Sequence, residues 1–157
     1  MYITTIFSKL SKKNQKKIQL FYKNNYNQNN YDFEPFTIII LDLLDNNIIG
    51  CICFYDNKFL LEKLKNNNIA LKYYCFKDLH GCFIYNFCVD KNYRNKKIGT
   101  NLLLYSINKM KEIHIDYLHT QAENEISKKL FIKYDFVEND NFIGTTNNEV
   151  FILSKIL

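Results

Sequence analysis

The stretch from Cys82 to Ile113 constrains this chain more than any other. A mainly apolar run, Cys82–Val89, leads into the lysine-bearing loop Asp90–Lys97, after which Ile98, Leu102, Leu103, Ile107 and Met110 recur at helical spacing. A short apolar run of that kind reads as a buried strand, and the recurrence reads as an amphipathic helix. A strand must therefore feed a helix through a basic loop, which requires a layered α/β arrangement. The amides of such a loop and the helix N-terminus supply donors and a partial positive charge suited to an anion. Arg94, the only arginine of the chain, stands in this loop, while every other fixed cation is a lysine. A planar guanidinium fork matches paired phosphate oxygens better than an ammonium does. The segment reads as a pyrophosphate site.

The remaining elements follow from hydrophobic pattern and turn residues. Met1–Ser8 reads as a strand, and Leu10–Tyr22 as a helix with Leu10, Ile18, Leu20 and Phe21 set among lysines and glutamines. Asn24–Pro35 reads as a polar loop. Phe36–Leu44 and Ile48–Tyr55 read as strands joined at Asn46-Asn47, after Asp45. Phe59–Lys65 reads as a short helix, and Ala70–Phe76 fits either helix or strand. Beyond the Lys97–Ile113 helix, His114–Thr120 is a strand, Asn124–Tyr134 a helix, and Phe136–Ile143 and Val150–Ile156 are strands. No linker or repeat interrupts this order. It predicts a single mixed α/β domain over residues 1–157, with a largely antiparallel central sheet flanked by helices.

Composition narrows the function classes. Apolar residues make up 47% of the 157, with 16% aromatic, enough for a core. The net charge of +5 is spread along the chain with no coherent stripe or recognition motif, which argues against nucleic-acid binding. The cysteines, Cys51, Cys53, Cys75, Cys82 and Cys88, are odd in number and form no CxxC pair. They read as reduced, apolar strand residues rather than disulfides or metal ligands, and so imply a reducing compartment, the cytoplasm. The N-terminal residues lack the pattern of a signal peptide, and no run approaches the roughly 20 apolar residues that span a bilayer. The Asn-rich stretches Asn24–Asn30 and Asn66–Asn68 read as polar loops.

Two segments together resemble the GNAT superfamily of N-acetyltransferases. The family's coenzyme A loop reads Arg/Gln-x-x-Gly-x-Gly/Ala, and the matching positions are Arg94, Lys97 and Gly99, with Val89 and Tyr93 in the expected places. A later family motif reads Asn-x-x-Ala-x-x-Leu-Tyr-x-x-x-Gly-Phe. The same register gives Asn124, Ser127, Leu130, Phe131, Asp135 and Phe136.

The resemblance implies acetyl-CoA as cosubstrate and a small-molecule or peptide amine as acceptor, attacked directly in a ternary complex of a monomer or homodimer. It implies that pantetheine pairs with the strand at Phe87, Cys88 and Val89, between the fourth and fifth strands. Amides of Arg94, Asn95, Lys96, Lys97, Ile98, Gly99 and Thr100 would wrap the pyrophosphate, Asn124 would bond the pantetheine arm, and Phe131 would pack along it. A strand amide near Cys88 or Val89 would stabilise the oxyanion. The departures are specific. Lys97 and Asp135 stand where the family has glycine, and Asp enters the left-handed region readily. Phe131 replaces the usual tyrosine acid, leaving Tyr134 as the candidate acid. The usual strand glutamate is replaced in a register holding Tyr85 and Asn86, leaving His119 as the candidate base. These losses favour, as rival, a coenzyme A-binding module with weak or no catalysis; net charge alone favours a nucleic-acid-associated module.

Overall fold

The computed structural model describes residues 1–26, 33–59, 62, 80–143 and 149–157. Its strands are β1 (Tyr2–Ile6), β2 (Ile38–Leu44), β3 (Asn47–Asp56), β4 (Gly81–Val89), β5 (Tyr117–Ala122), β6 (Val137–Ile143) and β7 (Glu149–Ile156). The longer helices are α1 (Lys12–Tyr26), α2 (Ile98–Glu112) and α3 (Glu125–Lys133). The strands are ordered β1-β2-β3-β4-β5-β7-β6 in one sheet. The β4–β5 ladder is parallel, and the β1–β2, β2–β3, β5–β7 and β6–β7 ladders are antiparallel. That is the mixed, mostly antiparallel sheet expected from the element order. The residues cluster into two compact units, Met1–Phe54 with Asn86–Ser106, and Tyr55–Tyr85 with Ile107–Leu157.

In the first unit, the β2–β3 hairpin turns through Asp45 (φ 50°) and Asn46 (φ 62°), one residue earlier than the Asn46-Asn47 pair suggests. Two consecutive positive φ values make the turn whose twist suits a hairpin. β3 is buried from Ile49 to Phe54. Its Gly50 admits α2 closely, since a Cβ there would stand 3.0 Å from Leu102 Cδ2. α1 starts at a Ser11 cap, whose hydroxyl accepts from the Asn14 amide. It buries Ile18, Phe21 and Tyr22, while Leu20 is exposed. The first strand is shorter than expected, because Phe7–Lys9 forms a 3-10 turn that buries Phe7.

α1 also runs four residues past its expected end. Asn24, Asn25 and Tyr26 are helical rather than loop, so tertiary bonds described below override the weak helical preference of asparagine. The rest of the Asn-rich loop, 27–32, lies outside the described residues. So do most of the expected Phe59–Lys65 helix and all of Ala70–Phe76.

In the second unit, α2 ends in a Schellman turn. His114 takes φ 61°, its amide bonds Lys111 O at 3.0 Å, and the Ile115 amide bonds Met110 O at 3.0 Å. That turn consumes residues expected to be extended, which is why β5 starts at Tyr117 instead of His114. α3 ends the same way: Asp135 has φ 64°, its amide bonds Ile132 O at 3.0 Å, and the Phe136 amide bonds Phe131 O at 3.2 Å. The apolar contact that accompanies such a turn is the edge-on pair Phe131–Phe136, with centroids 5.0 Å apart. The second family motif therefore has a concrete local meaning, a helix with a defined stop.

Candidate active site

The loop between β4 and α2 is built from successive local bonds. Asp90 anchors its start: its amide bonds Ile49 O, and its carboxylate accepts from the Asn92 amide at 2.8 Å. A 3-10 turn, Lys91–Tyr93, follows, and Arg94 is extended. Asn95 and Lys97 then both take φ 62° before α2 begins at Ile98. Left-handed residues set among others can turn neighbouring amides the same way, an arrangement that suits anions. The open amides of the first turn of α2 continue it. Gly99 lets this turn approach the strand, as a Cβ there would stand 3.3 Å from Val89 Cγ2 and 3.6 Å from Phe87 Cζ. Lys96 and Lys97 are exposed; the Lys96 ammonium lies over the Tyr93 ring and bonds Asn92 O.

Arg94 makes bonds that its sequence position did not announce. Its Nε donates to Val89 O at 3.3 Å and its Nη2 to Asn25 O at 3.4 Å. Three further residues that sequence reasoning missed reach this place from α1. Tyr26 donates to Phe87 O at 2.6 Å, and Asn25 Oδ1 accepts from the Lys91 amide at 2.9 Å. Tyr22 is fully buried, with its hydroxyl 3.3 Å from Cys51 O, 3.3 Å from Cys53 Sγ and 3.4 Å from Asn86 O. Ile18, Tyr22 and Tyr26 lie at i, i+4, i+8 on one face of α1, with Ile18 and Tyr22 buried and Tyr26 exposed.

The strand thiols are poor nucleophiles. Burial pushes the Cys88 thiol up to about 12, outweighing the opposing pull of the Arg94 guanidinium. Burial likewise pushes Cys82 up to about 12 and raises Cys51. Cys51 and Cys53 share one face as expected, with Sγ atoms 3.9 Å apart in the core. Cys75 lies outside the described residues. Among those residues, no group of three or more His, Cys, Asp or Glu could hold a metal ion, and no helix is long and apolar enough to cross a membrane.

In the second unit, Asn124 caps α3. Its Oδ1 accepts from the Ser127 amide at 2.9 Å, and the Ser127 hydroxyl lies 2.8 Å from the same oxygen. Phe131 is buried in the Schellman contact. Tyr134 is the half-buried C-cap residue, with Lys133 over its ring. His119 is buried on β5, its Nε2 beside Asn57 Oδ1 and its ring tilted against Phe83. Because the amide oxygen can only accept, Nε2 carries the proton in this pair. Burial lowers the imidazole pKa to about 4, so His119 is neutral at pH 7 and a weak base.

A strand that feeds a helix through a basic loop, and a capped helix that ends in a defined stop, are the two local arrangements the sequence motifs mark. The model of the acetyltransferase (GNAT) family matches residues 5–136, most of the chain, and the chain belongs to that family. It is an acyltransferase, and acetyl-CoA is its cosubstrate. The ribosomal-protein-S18-alanine N-acetyltransferase of Escherichia coli shares the fold with a TM-score of 0.70 at 10% identity, over 99% of this chain and 94% of that one. An acyl-CoA N-acyltransferase from Pseudomonas aeruginosa gives 0.74 at 9% identity, over 99% and 98%. A Bacillus anthracis protein in complex with acetyl coenzyme A gives 0.57 at 20% identity, over 81% and 66%. At these identities the likeness is one of fold. Among curated proteins, a search by sequence finds no match.

Proposed function

We propose that the chain acetylates a primary amine by direct attack on acetyl-CoA, with the coenzyme diphosphate held by the loop Arg94–Thr100. The observation that carries this reading is the pair of left-handed residues, Asn95 and Lys97, feeding the N-terminus of α2. Such a concavity fits a diphosphate, because amides, helix terminus and lysines all present positive charge. In the transfer, the amine nitrogen bonds the carbonyl carbon, the C–S bond breaks, and the thiolate leaves with the electron pair. Proximity and orientation supply most of the acceleration. Thiols raised by burial support transfer without an acyl-cysteine intermediate.

In this reading, Phe87, Cys88 and Val89 offer backbone groups to the pantetheine arm, and the Asn124 Nδ2 donors bond it while Oδ1 caps α3. Phe131 acts through packing, because it is buried against Phe136. Tyr134 protonates the leaving thiolate. His119, neutral and buried, serves the core, and the amine loses its proton to solvent. The acceptor is a small-molecule or peptide amine, and the protein works in the cytoplasm as a monomer or homodimer.

Thiol release from acetyl-CoA across a panel of arylamines, polyamines, aminoglycosides, peptide N-termini and lysines tests the reaction. Release with at least one amine is expected. Coenzyme A binding without release from any of them would overturn the proposed transfer to these amines.

A further inference from the structure

We propose that Asn25, in the last turn of α1, is a positioning residue that presets the diphosphate loop for acetyl-CoA; this rests on the reading that Arg94–Thr100 holds the diphosphate. Asn25 is tied at three points. Its Nδ2 donates to Phe21 O at 2.9 Å, which orients the amide within its own helix. Its Oδ1 then accepts from the Lys91 amide, and its carbonyl accepts from Arg94 Nη2. The two latter bonds grip the loop three residues apart, immediately before the left-handed residues Asn95 and Lys97. The carbonyls of a last helical turn lack intrahelical partners, and a cation there is favoured by the helix dipole, so Arg94 satisfies α1 while α1 fixes Arg94.

The consequence is preorganisation. Ordering a residue costs backbone entropy, and a loop already fixed does not incur that cost when ligand binds. A loosened latch therefore weakens only the part of the ligand that the loop holds. Arg94, bonded to Val89 O and Asn25 O, transmits the position of α1 to the loop.

The backbone donor can be deleted cleanly. Asp90, with φ −52° and ψ 133°, has the conformation that a following proline requires. Lys91 opens the 3-10 turn, a first-turn position that proline tolerates. Lys91→Pro removes the amide that Asn25 accepts, and Lys91→Ala keeps it.

Calorimetric titration with coenzyme A and with pantetheine, which lacks the diphosphate, tests the role. Asn25→Ala and Lys91→Pro should each weaken coenzyme A about tenfold and leave pantetheine unchanged. The double variant should be no weaker than either single one, and Lys91→Ala should stay within about twofold of wild type. Turnover at saturating acetyl-CoA should hold while its KM rises. Wild-type affinity for coenzyme A in Asn25→Ala, equal losses for both ligands, or additive losses in the double variant would each overturn the role of Asn25. A wild-type protein that binds coenzyme A no more tightly than pantetheine would overturn the diphosphate reading itself.

Discussion

The imidazole of His119 and the side-chain amide of Asn57 form a buried pair, with Nε2 and Oδ1 2.5 Å apart. Burial holds the histidine pKa at about 4, against 6.5 for the ordinary group. The unfolded chain therefore binds a proton that the folded chain refuses between those two values, so stability is complete above pH 6.5 and falls toward pH 4. The difference corresponds to about 3 kcal/mol. Replacing His119 with Gln, which keeps a donor for Asn57, should flatten the acid side of a urea-denaturation profile by about that amount. An unchanged slope would mean that other groups set the acid limit.

Lys97 carries both a charge and a strained backbone. The left-handed conformation costs an ordinary residue about 1–2 kcal/mol, and glycine recovers this less about 0.4–1 kcal/mol of unfolded-state entropy. Lys97→Gly should melt slightly above wild type, and Lys97→Ala should not. Both should bind coenzyme A more weakly at low salt if the ammonium faces phosphate; equal affinity would confine Lys97 to a backbone role.

Asn124 has separable duties. Asn124→Ala should lose the cap, at about 1 kcal/mol of stability, together with the pantetheine contact. Asn124→Ser keeps a capping oxygen but lacks the amide donors. Weaker acetyl-CoA binding at near-wild-type melting temperature is the expected result for Ser. Unchanged affinity would make Asn124 a cap alone.

Tyr134, half-buried at the end of α3, is the proposed proton donor. Tyr134→Phe should lower turnover by about 10²-fold, the usual scale of a general acid. Phe131→Tyr should not raise it, because the ring is buried against Phe136 and an added hydroxyl costs about 1–3 kcal/mol unless it finds a partner. Full activity in Tyr134→Phe would leave water as the proton source.

The sheet and the strand–loop–helix order around Arg94 were legible because hydrophobic periodicity reports directly on local structure. Leu102, Leu103, Ile107 and Met110 are buried as their spacing demands, and Asp135 is left-handed where the family keeps glycine. The grip of α1 on the loop was not legible. Asn24–Tyr26 looks like the start of a polar loop, and the bonds that tie it to the loop reach residues more than sixty positions away. The state of His119 was hidden for the same reason, since its partner Asn57 is 62 residues distant in the chain.

Among the described residues, Asp45, Asn46, Asn95, Lys97, His114 and Asp135 all occupy the left-handed region, and no glycine does. Gly50, Gly81 and Gly99 stand instead where a Cβ would press on a neighbour, at Gly81 only 2.5 Å from Asn57 Nδ2 and 2.9 Å from the Tyr117 carbonyl oxygen. The usual map of mutational tolerance is thereby inverted. Turn positions, which in most proteins resist any side chain, here already accept polar ones and leave glycine as an unused route to greater stability. The glycines mark clearances of a few tenths of an ångström, and alanine scanning should find its least forgiving sites there.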